Sequence, residues 1–481
     1  MSIALVPRRT PALPATERLG PRERLEALCD DGSLRAIRSG VASRSTRRSR
    51  LGDGVVGAAG TVAGRPVFCY AQDSGFAGGS LGEAHAGTIA RVLRLARDAG
   101  APAVGFVESG GARMDEGIAA LGAYGRIFRE QVAASGWIPQ VTVITGVAAG
   151  GAAYSPALGD FVVMTGEASM FLTGPGVVEQ VTGERVTKAE LGGPRVHARN
   201  GVCHLAAPDD AAAVALVREV LAYLPDNSAV APPSQVAEFA LARDPGASVP
   251  NEPRRVYDVR EVIGAFVDAG RMLEVTPRWA RSMVCALARI EGRAVALVAN
   301  QPRHLGGVID AAAAEKAARF VRTCDSFGLP LVVLVDTPGF LPGTTQESQG
   351  VIRQGAGLLH AFAAATVPKV TVVLRKAYGG GYIAMNSKDL GADFTFAWPS
   401  AEIGVVGPAQ AVGIIHRREI EAAGDPKAER DRRASIYAEE NLSAAVAAAG
   451  GFVDELIRPE DTRDRLAWAL RSLGHGWRCE R

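Results

Sequence analysis

The chain has 481 residues, 47% of them hydrophobic, with 53 Lys plus Arg against 51 Asp plus Glu, a net charge of +2. That length supports two or three domains around a large core, and the near-neutral balance argues against a nucleic-acid or membrane-surface protein. No run of ~18 uninterrupted apolar residues occurs, so no transmembrane helix is expected; scattered cysteines with no C-x-x-C pair, and histidines with no H-E-x-x-H cluster, point to reduced, cytoplasmic thiols and to no metal site.

In chain order, residues 1–20 lack the layout of a secretory signal, because their apolar stretch is short and Arg comes directly after it. They are expected to form a disordered tail. A first α/β domain is expected over 21–235. Its short β-branched runs, "AVGFVE", "VTVITG" and "DFVVMT", are of buried-strand type. Stretches such as "GTIARVLRLARDA" carry apolar residues at helical spacing between them, which gives βαβ units. The break falls in the Pro-rich and polar stretch 224–255, with the linker proper at 236–255, and a second domain occupies 256–481.

The second domain repeats the first. "GGSLGEAHAGTIARVLRLARDAG" (78–100) matches "GGVIDAAAAEKAARFVRTCDSFG" (306–328). "GAPAVGFVESGGARMDEG" (100–117) matches "GLPLVVLVDTPGFLPGT" (328–344), and the stretch 138–176 matches 367–408. Three matches in one order at nearly constant spacing indicate an internal duplication.

In each half a Gly-Gly sits where a strand ends and a helix begins. The first turn of a helix presents unpaired N–H groups and a partial positive charge. Glycine lets that backbone approach a ligand without a Cβ. Such a turn suits an oxygen that becomes negative during reaction. Tight strand–helix packing is the plainer reading of either copy alone; two copies, each with a second Gly-rich turn at "ESGGAR" and "DTPGF", favour function. The turns match neither G-x-S-x-G nor a phosphate-binding loop. Oxyanion donors without a nucleophile or metal suggest enolate chemistry, with the base supplied by substrate or cofactor.

The motifs "GGSLGEAHA", "ESGGARMDEG", "TGPGVVEQVTGERVTKAELGGPRVH", "VDTPGFLPGTTQE", "VPKVTVVLRKAYGGGY" and "AVGIIHR" resemble the biotin-dependent acyl-CoA carboxylase β (carboxyltransferase) subunits, collinearly over about residues 20–460. The resemblance implies two tandem crotonase-like domains, with the N-domain of one subunit facing the C-domain of another in a hexamer built as a trimer of dimers. It implies transfer of CO2 from carboxybiotin, held on a partner's biotin carrier, to the α-carbon of acetyl-CoA or propionyl-CoA through an enolate. A biotin carboxylase and its carrier are the implied partners, with no nucleic acid, membrane or bound metal; the chain itself has no Met-Lys-Met biotinylation site. By motif position the oxyanion pairs are Gly150–Gly151, for the thioester, and Gly380–Gly381, for biotin. The internal alignment instead puts Gly379–Gly380 opposite the first pair. Gly110, Gly111, Ala112, Tyr154, Gly339, Phe340 and Ile383 are the implied substrate-binding positions.

Several positions depart from the family pattern. Ile383 replaces a common aspartate at the acyl pocket, which bears on acyl choice unless it only packs at the helix start. Gly381 replaces alanine, Glu108 replaces aspartate, and Pro408 and Gln410 alter the turn before "AVGIIHR". "AHAGTI" lacks a lysine common in that helix. Arg44, Arg47, Arg48 and Arg50 form a basic run that meets CoA phosphates or, more plainly, a solvated loop. Two other readings stay open: decarboxylation of a malonyl-type thioester, since CO2 and a proton trade places on one enolate, and a non-catalytic scaffold subunit. A crotonase-type hydratase fits less well, because no glutamate pair sits at the turns.

Overall fold

The computed structural model describes residues 18–43, 49–240, 243–250, 252 and 255–474. The chain divides into two compact units, one ending at Leu221 and the other starting at Ala222. Arg44, Arg47 and Arg48 of the basic run, and residues 1–17 of the expected tail, lie outside the described residues. The last residues of that tail are anchored rather than loose. The Leu19 N–H donates to Asp210 at 3.1 Å, and an Arg18 guanidinium N–H reaches the Thr145 carbonyl at 3.1 Å.

The first unit holds one eight-stranded sheet. Its strands are β1 (Arg35–Ile37), β2 (Val55–Val62), β3 (Arg65–Gln72), β4 (Ala103–Ser109), β5 (Gln140–Ala149), β6 (Phe161–Met164), β7 (Ser169–Phe171) and β8 (Leu205–Ala206). The order is β1-β2-β3-β4-β5-β6-β8, with β7 also on β5. β1, β2 and β3 pair antiparallel and the rest parallel. β4 is buried along its whole length, as its unbroken apolar run "AVGFV" requires of a covered parallel strand. Helices Glu83–Ala99 and Ile118–Ala134 are amphipathic, and their apolar faces cover it. Ile89, Val92, Leu93, Ala123 and Ile127 pack with Val107 and Ile144. Each such fully buried Ile, Leu or Val side chain contributes about 1.5–3 kcal/mol.

The second unit repeats this arrangement. Its strands are β9 (Met272–Val275), β10 (Met283–Ile290), β11 (Arg293–Asn300), β12 (Leu331–Thr337), β13 (Lys369–Tyr378), β14 (Phe394–Ala397), β15 (Glu402–Gly404) and β16 (Glu455–Leu456). The order β9-β10-β11-β12-β13-β14-β16, with β15 on β13, is the same path. Val262, Ile263, Phe266, Leu297, Val332, Val370 and Trp398 centre its core. Two twin sheets establish the duplication that the sequence repeats imply.

The ladders fix the offset between the copies. Phe68 pairs with Ala103 as Ala296 pairs with Leu331, an offset of 331 − 103 = 228. Ala103 pairs with Gln140 as Leu331 pairs with Lys369, so from β13 the offset is 369 − 140 = 229. One residue has therefore been gained between β12 and β13.

Both units place a buried carboxylate at the end of the central strand. In the first it is Glu108, in an ion pair with Arg18 and at 3.2 Å from Arg24, which also bonds Asp210 at 2.9 Å. In the second it is Asp336, at 3.1 Å from Arg375 and 3.7 Å from Lys376. Removing one partner of a buried pair leaves the other charge uncompensated, at a cost of about 3–5 kcal/mol. Arg24→Met is therefore expected to lower the unfolding free energy by roughly that amount. Arg22→Met, which breaks a solvent-exposed pair with Glu26, is expected to cost under ~1 kcal/mol. Urea denaturation of both variants checks this, and equal losses would contradict it.

Candidate active site

The candidate site in each unit is built where the parallel ladder gives way. Between β4 and β5 the register runs Val107 with Ile144, then jumps to Ser109 with Ala148. Between β12 and β13 it runs Val335 with Val373, then Thr337 with Ala377. The later strand thus bulges at 145–147 and at 374–376. A bulge bends its strand and re-aims the chain beyond it, here a glycine turn and a helix start.

The glycine turns are alike in both units. After β4, Gly111 has φ +105°, and its N–H donates to the Ser109 hydroxyl at 3.3 Å. After β12, Gly339 has φ +122°, and its N–H donates to the Thr337 hydroxyl at 3.2 Å. Each turn is also clamped from the other side. Leu81 bridges Ala112 through Leu81 N–H to Gly111 C=O (2.8 Å) and Arg113 N–H to Leu81 C=O (3.0 Å). Ile309 bridges Phe340 in the same manner, at 3.0 and 2.9 Å. Gly110 lies exposed at the lip of the first turn and Phe340 is half-buried in the second.

Beside each turn a short helix starts: Gly151–Ala157 after β5 and Gly379–Ala384 after β13. The partner strands fix which glycines correspond. Ala149 pairs with Phe171 on β7 as Tyr378 pairs with Gly404 on β15. Gly150 and Gly379 come next, with φ +61° and +56°. The structural counterpart of Gly150–Gly151 is therefore Gly379–Gly380. Gly381, which the motif pairs with Gly380, corresponds to Ala152. Both are buried.

The space around these glycines differs between the units. A Cβ on Gly151 would lie 2.8 Å from the Tyr124 ring, whereas one on Gly380 would lie 3.5 Å from the Phe340 ring. A Cβ on Gly150 would meet nothing nearer than the Leu172 carbonyl at 3.9 Å. A Cβ on Gly381 would meet the Gly339 Cα at 2.8 Å. Glycine at 381 is thus not a mild exchange for alanine in this chain. It lets the Gly339 turn close against the helix start.

The same equivalence brings Tyr154 and Ile383 into correspondence, four residues after Gly150 and Gly379. Tyr154 is 52% and Ile383 47% exposed, so neither is filling the core. Pro408 occupies the first position of helix Pro408–Ile415, and Pro175 does so in helix Pro175–Thr182. Proline is well suited to that position, where its fixed φ is helical and its missing N–H is not needed. Gln410, further along the first turn, is exposed.

Charged groups around the turns serve to hold them. Arg113 is buried, with bonds to Asp53 (2.8 Å) and Glu116 (3.0 Å), and Glu116 accepts the Glu83 N–H that starts helix Glu83–Ala99. Gln346 does the same for the Ala311 N–H in the second unit, at 2.9 Å. His85 is pushed down to about 3 by burial, reinforced by Arg113, so it is neutral at pH 7. Arg50 lies 4.8 Å over the Phe76 ring and pairs with Asp73, which makes it part of this wall. The helix residue Thr88 corresponds to Lys316, whose Nζ donates to the Thr276, Trp279 and Met283 carbonyls. Thr88 instead accepts from Arg38 at 3.3 Å.

Sequence reasoning missed Ser109 and Thr337, whereas the internal alignment had already put Gly379 opposite Gly150. The change of offset from 228 to 229 agrees with that alignment. The hydroxyls carry no such signal. Among the described residues, no group of three His, Cys, Asp or Glu side chains is placed to hold a metal, and no helix is long and apolar enough to cross a membrane.

Comparison with known proteins gives a consistent picture. Residues 15–480 match the family described as carboxyl transferase domain. The propionyl-CoA carboxylase beta chain of Saccharopolyspora erythraea is 48% identical over 94% of this chain and 87% of its own. The acetyl-/propionyl-coenzyme A carboxylase beta5 subunit of Mycobacterium tuberculosis H37Rv, a biotin-dependent enzyme, is 46% identical over 95% and 87%. A crystal structure of transcarboxylase 12S, described as a hexamer with hydrolysed methylmalonyl-coenzyme A bound, superposes with a TM-score of 0.90 at 45% identity, covering 95% of this chain and 90% of that one.

The glycine environments predict an asymmetry. Gly151→Ala forces a Cβ into the Tyr124 ring and is expected to cost about 1–3 kcal/mol. Gly380→Ala has room and gains helix propensity, so it is expected to be neutral or stabilising by up to ~1 kcal/mol. Gly381→Ala is expected to behave like Gly151→Ala. Thermal denaturation ranks the three, and a destabilised Gly380→Ala beside a tolerated Gly151→Ala would refute the assignment.

Proposed function

Because the chain belongs to the carboxyl transferase family, we propose that it is the carboxyltransferase subunit of a biotin-dependent acyl-CoA carboxylase. It accepts CO2 delivered as carboxybiotin on a partner's carrier protein and places it on the α-carbon of a short acyl-CoA, acetyl or propionyl. The observation that carries this reading is the doubled helix start, Gly150–Gly151 and Gly379–Gly380, at matching positions of twin sheets.

Each half of the reaction needs one negative oxygen stabilised, the thioester oxygen as the enolate forms and the ureido oxygen as CO2 leaves. Carboxybiotin supplies the CO2 and, once freed of it, a proton acceptor. The chain supplies oriented backbone N–H groups, which cost no reorganisation during reaction and are worth roughly 3–4 kcal/mol each. The open faces of Gly150 and Gly380 fit the approach of such an oxygen, since a Cβ there would meet no atom within 3.4 Å. We assign the first turn to the thioester and the second, at Gly380 with either neighbour, to biotin. Gly110, Gly111 and Ala112 line the thioester side, Gly339 and Phe340 the biotin side. Tyr154 and Ile383 flank the two turns, and Ile383 bears on acyl choice.

The partners in this reading are a biotin carboxylase and a biotinylated carrier. The assembly is a hexamer, as that of transcarboxylase 12S is described, with the first unit of one subunit facing the second unit of another, in the cytoplasm.

With ATP, biotin carboxylase and biotinylated carrier, the protein is expected to fix labelled bicarbonate into acetyl- or propionyl-CoA. Omission of the carrier abolishes it. Ile383→Asp is expected to change the ratio between the two acyl groups by severalfold. If fixation is absent but malonyl- or methylmalonyl-CoA loses CO2, the decarboxylase reading replaces this one. Neither reaction in correctly assembled material would favour the scaffold role.

A further inference from the structure

Of 53 cationic Lys and Arg residues, the chain keeps six as lysine: Lys188, Lys316, Lys369, Lys376, Lys388 and Lys427. Three of these amines are tied to oxygens. Lys316 donates to three backbone carbonyls, Lys369 to the Phe362 carbonyl at 2.9 Å, and Lys388 to Asp454 at 2.6 Å. Lys188 and Lys427 begin exposed helices. Lys376 differs from all of them. It sits on the bulge of β13, its side chain is 16% exposed, and it shares the carboxylate of Asp336 with Arg375 in a long ion pair, 3.7 Å from Oδ1 and beyond hydrogen-bond length.

Lys376 lines a cleft of about 330 Å³ in the second unit. The walls include Val249, Pro250, Trp398 and Pro459, with Ser400 and Glu402 as polar groups and Arg375, whose guanidinium is taken up by Asp336 and the Glu252 and Arg255 carbonyls. An apolar wall beside an amine suits the tip of an acyl thioester rather than a compact anion. We propose that Lys376 is a site of N-acylation by acyl-CoA thioesters. The unprotonated Nζ attacks the thioester carbonyl, a C–N bond forms, and the C–S bond breaks. The sulfur leaves with the bonding pair as coenzyme A thiolate. The proton lost from nitrogen ends on that thiolate, and Asp336 Oδ1 is placed to carry it. The net change is amine plus thioester to amide plus thiol.

Two further observations support the step. Asp336 Oδ1 is buried with no hydrogen-bond partner. Burial lowers the Lys376 pKa from 10.5, against the pull of Asp336 and Glu402 and with the help of Arg375, and it raises that of Asp336. Each unit by which an amine's pKa falls increases its neutral fraction about tenfold at a pH well below that pKa. Tyr257 and Tyr378 also face Asp336, and Arg375 Nε donates to its Oδ2 at 3.1 Å. This proposal does not depend on the carboxyltransferase reading, since any thioester of coenzyme A is a donor.

The test incubates the full-length protein with acetyl-CoA, and separately with S-acetyl-N-acetylcysteamine, at pH 7 and 8, and maps adducts by mass spectrometry over time. Lys376 is expected to acylate faster than Lys188 and Lys427 by about fivefold or more. That advantage is expected to vanish in urea, and Lys376→Arg is expected to remove the adduct while leaving the others. Acylation of Lys376 no faster than of Lys188, or an advantage that survives in urea, overturns the proposal.

Discussion

A buried carboxylate at the end of a buried parallel strand is the constraint on which both units turn. Glu108 and Asp336 are 6% and 0% exposed, and a charge so placed must be matched nearby or it costs several kcal/mol. The strand beside it bulges at the same level, because two residues extra to the ladder are accommodated there. The bulge then sets the direction in which the glycine turn and the next helix leave the sheet. The site geometry therefore rests on an electrostatic match made one layer below it.

The two copies reach that match by different routes. In the second unit the cation comes from the bulge itself, as Arg375 and Lys376 on β13. At the position corresponding to Arg375 the first unit has Gly146. A Cβ there would collide with Arg18 Nη2 and lie 2.6 Å from Glu108 Oε1. The glycine makes room for an arginine that arrives from the chain's beginning, and Arg24 adds a second. The longer Glu108, in place of aspartate, reaches both. Lys316 and Thr88 differ in another way, since Lys316 donates to three backbone carbonyls whereas Thr88 accepts from Arg38. Duplication preserved the requirement for a charge and let its source drift.

The architecture was legible because it depends on features that repeat. Apolar runs of strand length, helices at 3.6 periodicity and glycines at strand ends recur in order, and two copies turn weak local signals into one strong one. Which glycines correspond was less legible. The repeats tolerate a shift of one residue, and only the pairing of Ala149 with Phe171 and of Tyr378 with Gly404 fixes it. The anchoring of Arg18 was not legible, because its partner is 90 residues away and nothing local marks it. The effect of Gly381 was hidden for a similar reason: it depends on a close approach by Gly339, which is a tertiary fact.

Under the proposed function, the correspondence of Tyr154 with Ile383 bears on how two similar turns would serve different oxygens. Each side chain projects four residues after its first glycine, so in an ancestral duplicate the two sites would have been equivalent. One now presents an aromatic ring with a hydroxyl, the other a branched aliphatic surface, and both are about half exposed. The glycine faces have diverged in step. Gly151 is covered by Tyr124 from a helix, whereas Gly380 faces Phe340 from the neighbouring turn. Oxyanion stabilisation through backbone N–H groups does not depend on side chains, so the donors can stay fixed while the walls change. A fold that stabilises charge through its backbone is free to alter its specificity through the residues around it. Ile383, exposed beside the second turn where the first unit has Tyr154, is the position at which the proposed function would place that freedom.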